Sequence, residues 1–195
     1  MIFVPFQTTR DLLSVNIISE ARTPPPYLIT EQNPSIVHSI NTYCSHIIHS
    51  IMSEEDPAFT NAKKIMHSID AAKPYEDVAD MVVENAPFLC QSDALKDVTT
   101  VKGWCEWMGN FATNIAPDCK PTVHNIAWDS TKKTALLYAT YHAKHTGTGG
   151  PMEATNKETN THYCYIVMMD ATTNKCTSFT KVWNDGYCLK ELGWA

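Results

Sequence analysis

The feature that most constrains this chain is a change of period at Pro121. Ahead of it, Val101, Trp104, Cys105, Met108, Phe111, Ala112 and Ile115 recur at helical spacing and fall on one stripe. Thr99 or Thr100 can cap that helix, and Ala116-Pro117-Asp118 stops it. Beyond Pro121 the period is two. Strands are predicted over 122–128, 134–146, 159–169 and 176–184, joined by polar turns, so neighbours run antiparallel as a meander.

Upstream the chain reads as helices. Residues 34–51 place Ile36, Val37, Ile40, Tyr43, Cys44, Ile47, Ile48 and Ile51 on one stripe. His38, His46 and His49 fall on the opposite, polar face, a solvated surface rather than a metal site. A second helix starts at Pro57 and turns Phe59, Ala62, Ile65, Met66 and Ile69 to one side. A third opens at Pro74, and a short extended piece, Phe88-Leu89-Cys90, leads into a polar loop. Helices first and strands afterwards define an α+β chain, helices segregated to one face of a mainly antiparallel sheet. Residues 1–33 read as an extended arm and 34–195 as one domain. The arm's Pro24-Pro25-Pro26-Tyr27 fits a polyproline II ligand, a four-residue pattern that also arises by chance.

Composition narrows the function classes. With 21 acidic against 15 basic residues and a net charge of −6, the surface repels phosphate backbones, so no nucleic acid is expected as a partner. No run approaches the roughly 18 apolar residues of a membrane span, and Met1-Ile2-Phe3-Val4-Pro5-Phe6 lacks the basic start of a signal peptide. The seven cysteines are scattered and form no C-x-x-C pair, so reduced thiols, a cytoplasmic location and no bound metal are expected.

The strand at 134–146 hints at a pocket. Ala135, Leu137, Ala139, Tyr141 and Ala143 share one face, smaller and more apolar than the face of Leu136, Tyr138, Thr140, His142 and Lys144. Turned toward the helices, small residues leave room, which a curved sheet would enclose.

From Met81 onward the order of short motifs resembles the SnoaL-like group of the NTF2-like superfamily. Asn85-Ala86-Pro87-Phe88 is similar to the stretch after its early helices, and Ala143-Lys144-His145-Thr146-Gly147 to its G-T-H-T-G element. Thr155-Asn156-Lys157 resembles its T-G-K turn, and Trp183-Asn184-Asp185 with Leu189 and Leu192-Gly193 its W-x-x-D…Q-L-G tail. The long helical front departs from the group, as does Asp170-Ala171-Thr172-Thr173-Asn174-Lys175 where the group has a tight D-G-K hairpin. The resemblance implies a cone with helices in the concave face of a curved sheet. It also implies a small hydrophobic ligand, no cofactor, and pocket carboxylates and histidines as acids and bases in cyclisation, isomerisation or dehydration.

Asp185 is the leading candidate for that chemistry, since partial desolvation beside Trp183 would raise its pKa. The bland alternative is an Asp bonded to the amides of the following turn. His162 could pair with Asp185 were it on the concave face, which its strand pattern leaves open, and His145 shares the parity of Tyr141 near the mouth. Tyr43, Trp104, Met108, Tyr141 and Trp183 are the expected walls, with core packing as the alternative for the aromatic stripe. The rival function is a non-catalytic pocket or scaffold, a homodimer through Tyr138, Thr140 and His142 on the outer sheet face. Gly147-Thr148-Gly149-Gly150 lacks the Lys-Ser/Thr of a phosphate loop and is set aside.

Overall fold

The structure is a computed structural model that describes residues 55–195. The arm with its Pro24-Pro25-Pro26-Tyr27, the helix expected over 34–51 and its candidate Tyr43 lie outside the described residues.

Helix α1 (Pro57–Asp70) begins where Asp56 accepts a bond from the Ala58 amide at 3.0 Å, with Pro57 occupying a position that needs no N–H. Its inward side buries Ala58, Ala62, Ile65, Met66 and Ile69, and also Asp70. The helix expected after Pro74 is instead two successive 3-10 turns, Tyr75–Asp77 and Ala79–Met81. Strand β1 (Phe88–Cys90) follows, and a further 3-10 turn, Asp93–Leu95, lies within the polar loop. Helix α2 (Val101–Asn110) is capped by the Thr100 hydroxyl, which accepts from the Gly103 amide at 3.1 Å. It loosens into a π-turn over Phe111–Ile115 before the chain reverses.

Four long strands come next: β2 (Lys120–Asp129), β3 (Thr134–Lys144), β4 (Glu158–Met169) and β5 (Cys176–Trp183). They form the expected meander, and β1 adds to its far edge parallel to β5, giving the order β1-β5-β4-β3-β2. Two irregularities matter for which residues face inward. One at Val123/Asn125 leaves His124 as an extra residue in β2. The other, at Met168/Met169, lets Cys176 and Phe179 both turn inward on β5 although they are three apart.

The closing tail that resembles the W-x-x-D…Q-L-G element is a helix, α3 (Asp185–Leu192). Asn184 caps it by accepting from the Tyr187 amide at 3.0 Å, and Gly193 ends it at φ 76°. This helix packs on β4, whereas α1 packs on β3 and β4 and against α2. The main core lies between helices and inner sheet face and takes in Ala135, Leu137 and Ala139, while Ala143 joins a smaller cluster with Phe111, Ile115 and Ala116; all four β3 residues are buried as the alternation predicts.

The turn Thr155-Asn156-Lys157 shows why Asn can stand where the resembled group prefers Gly. Asn156 adopts φ 58°, the left-handed region that Asn tolerates better than most residues. Its amide donates to the His145 carbonyl at 2.9 Å, while the Thr155 hydroxyl donates to the Leu192 carbonyl at 2.6 Å. The turn therefore ties the end of β3 to the end of α3.

Candidate functional site

The interior between helices and sheet is organised by aromatic rings. On α2, Trp104, Trp107 and Phe111 are spaced three and four apart, so they stack at centroid distances of 5.3 Å each. Phe111 meets Tyr141 of β3 at 6.2 Å, Tyr141 meets Tyr163 of β4 at 6.2 Å, and Tyr163 meets Tyr165 at 4.7 Å. Tyr165 continues to Phe179 at 4.8 Å, Phe179 to Phe88 at 6.2 Å, and Phe88 returns to Trp104 at 4.8 Å. The eight rings close a circuit, most contacts being offset or tilted as ring quadrupoles prefer.

Within this frame lies a cavity of about 40 Å3. Met108, Phe111, Tyr141, Tyr163 and Trp183 line it, and Cys188, Leu192 and Trp194 complete it from the C-terminal side. At roughly 10–15 Å3 for each water, such a space holds only a few solvent molecules.

Two ionisable groups are buried here, and the sequence reading passed over both. Lys181 is inward on β5 because it shares parity with Phe179 and Trp183. Its Nζ lies 4.0 Å from the centre of the Trp183 ring, 4.6 Å from Trp104 and 5.7 Å from Tyr163, and it lines the cavity. Among the described residues it joins no ion pair, whereas Lys63, Lys102, Lys133 and Lys144 each do. Burial pushes its pKa down to about 8, and the positive charge is only partly supported by nearby acidic groups. The surrounding ring faces favour the cation.

The second group is Asp70, on the inward side of α1 one turn beyond Met66. Its carboxylate accepts from the hydroxyls of Tyr163 at 2.5 Å and Tyr165 at 2.9 Å. Burial raises its pKa, while the two phenolic bonds and the charge of Lys181 act in the opposite direction. Burial likewise holds the phenols of Tyr141, Tyr163 and Tyr165 well above the usual tyrosine value. Two further buried polar atoms belong to cavity-lining residues and have no partner among the described residues: Thr161 Oγ1 and Trp183 Nε1.

The three residues expected to be catalytic are not brought together, and none lines the cavity. Asp185 occupies the first turn of α3, partly exposed, where its side chain accepts from the Gly186 amide at 2.8 Å. That is the bland alternative weighed above, and it suits an acid at a helix N-terminus. His162 is exposed on the outer sheet face, its Nδ1 3.0 Å from the Tyr138 hydroxyl and 3.1 Å from that of Thr140. Inward positions on β4 belong to Thr161, Tyr163 and Tyr165 instead. His145 is fully buried behind the cavity wall: its Nδ1 accepts from Trp194 Nε1 at 2.9 Å. Of the expected walls, Met108, Tyr141 and Trp183 line the cavity, while Trp104 is core beneath Lys181. Tyr43 lies outside the described residues.

Among the described residues, a short helical layer lies over a five-stranded sheet around an aromatic hollow, the fold of a SnoaL-like cone. Comparison with solved structures gives the same fold. A protein provisionally assigned as a SnoaL-like polyketide cyclase from Shewanella putrefaciens CN-32 matches with TM-score 0.57 at 10% identity, over 73% of this chain and 100% of that one. One assigned as a polyketide cyclase from Bacillus cereus ATCC 10987 matches with TM-score 0.54 at 14% identity, over 71% of this chain and 81% of that one. An NTF2-like protein of unknown function from Burkholderia pseudomallei K96243 matches with TM-score 0.52 at 5% identity, covering 70% and 98%. No family profile and no curated protein matches the sequence. At these identities the likeness establishes the architecture, a SnoaL-like cone, and leaves activity to be argued from the site. No described helix is long and apolar enough to cross a membrane.

Proposed function

We propose that the protein binds a small, largely apolar, oxygenated molecule in the aromatic cavity and performs cofactor-independent acid–base chemistry on it, as in cyclisation, isomerisation or dehydration. The observation that carries this reading is Lys181, an amine buried among ring faces that opens onto the cavity and forms no ion pair among the described residues. A group with pKa about 8 has roughly one molecule in ten as free base at pH 7, so it can both take and return a proton there. Thr161 Oγ1 is an unspent polar atom for a ligand oxygen, and leaving it unpaired costs free energy that a ligand would recover. Solved relatives of this fold assigned as polyketide cyclases support the choice of ligand class.

Deuterium incorporation next to the carbonyl of a small aryl ketone, followed by NMR in heavy water, tests proton transfer. Exchange above the buffer rate in the native protein, at least tenfold lower in Lys181→Met, is expected. Binding with no exchange would leave a carrier rather than an enzyme.

A second reading rests on the outer sheet face, where Leu136, Tyr138, Met168 and Val182 are all more than 40% exposed beside His162 and His142. That face suits a homodimer. Sedimentation of native protein and Val182→Asp tests it: a dimer that becomes a monomer is the expected pair of results, and a native monomer removes the reading.

A further inference from the structure

We propose that Lys181 is a covalent site: its amine condenses with the carbonyl carbon of an aldehyde or ketone bound in the aromatic cavity, forming an imine. The inference rests on the pocket reading above and names both the ligand's functional group and the bond made to it.

Three features single out this amine. It is placed for attack, because Lys181 lines the cavity while its stem is held in β5 between Phe179 and Trp183. It is not committed elsewhere, because the nearest buried carboxylate, Asp70, already accepts from Tyr163 and Tyr165. The amines of Lys63 and Lys133, in contrast, lie 2.6 and 2.7 Å from carboxylate oxygens. It is also sheltered: the faces of Trp104, Trp183 and Tyr163 surround the nitrogen, and they favour the protonated imine as they favour the ammonium. A lysine held in apolar surroundings is an established route to an amine nucleophile, and burial moves its proton equilibrium toward the reactive free base.

The condensation balances without any redox partner. The nitrogen lone pair forms the N–C bond while the carbonyl π pair moves to oxygen. The two amine hydrogens then end on that oxygen, the C–O bond breaks, and one water leaves as the C=N bond forms. A cavity with space for only a few waters limits the reverse hydrolysis. The imine withdraws electrons from the neighbouring carbon, so a proton there is lost more readily than in the parent carbonyl compound.

Benzaldehyde, apolar and flat, is the probe. Full-length protein is incubated with benzaldehyde at pH 7 and treated with borohydride, which delivers hydride to the imine carbon and leaves a stable benzyl amine. Intact mass followed by peptide mapping reads the product, and quenching of tryptophan fluorescence reads binding independently. The expected result is a single benzyl group at Lys181, formed at least tenfold faster than on any other lysine. In Lys181→Arg the adduct at this site is lost while a cation remains in the cage, with melting curves confirming that the variant folds. Saturable quenching with no preferred adduct overturns the imine and leaves the pocket standing. Absence of saturable quenching overturns the pocket reading, and the imine with it.

Discussion

The two faces of the sheet carry similar side-chain chemistry in opposite settings. On the outer face, the exposed His162 bonds to Tyr138, and His162 and the exposed His124 share the hydroxyl of Thr140, which is itself buried. Against the inner face, Lys181, Tyr163, Tyr165 and Asp70 of the overlying α1 are buried among rings, with Tyr141 half-buried beside them. The outer cluster looks more like an active site in one dimension, since it gathers the imidazoles. Burial shifts the proton equilibria of the inner groups, because the cost of holding charge away from water dominates there. The lesson is that residue type marks a candidate, whereas burial decides what it can do.

Substitutions on the two faces test that contrast. Asp70→Ala should have the largest effect. It leaves the hydroxyls of Tyr163 and Tyr165 buried without an acceptor, at about 1–3 kcal/mol each, so urea unfolding should show a loss of roughly that sum. A loss below about 1 kcal/mol would mean the network carries little.

Lys181→Met should act in the opposite sense. The folded-state pKa lies below the unfolded value, about 8 against 10.5, so the native state binds fewer protons and its stability rises with pH between those values. Below pH 8 the buried cation costs about 3 kcal/mol, part of which the ring faces return. Lys181→Met should therefore stabilise the protein at pH 7 by about 2 kcal/mol while removing exchange activity, the gain shrinking toward pH 10. A variant less stable at pH 7 would mean that the cation–ring contacts outweigh desolvation.

Asn184→Ala should cost about 1 kcal/mol through the lost cap of α3. His162→Ala on the outer face should change stability by less than about 0.5 kcal/mol and leave benzaldehyde quenching unaltered. Weakened quenching in His162→Ala would show that the outer face communicates with the cavity.

Much of the frame was legible. The period change at Pro121, the strand positions and the inward set on β3 follow from alternation alone, and the order of short motifs pointed to the cone. What escaped has physical reasons. The stretch after Pro74 carries apolar residues at helical spacing, yet its two turns tighten to 3-10 form. Asn184-Asp185-Gly186 has the chemistry of a turn, and the same chemistry starts a helix when Asn caps it. Asp185 was favoured because an acid at a strand end is conspicuous, and its local amide bond is not visible in a pattern. Lys181 and Asp70 left signals that were there to be used. Alternation puts Lys181 between Phe179 and Trp183, and the four-residue step from Met66 puts Asp70 on the apolar stripe of α1. A charged residue whose neighbours on the same face are all apolar is a better guide to a site than a cluster of histidines.

The pairing of Asp70 with its phenolic donors spans 93 and 95 residues of sequence. Those bonds need the first described helix and the third long strand to meet, a long loop closure with a corresponding entropy cost. Until then the carboxylate is entering an apolar interior with neither donor in place. Mild acid, by neutralising it for that passage, should speed refolding, so the group that anchors the finished interior also sets how quickly the interior can be assembled.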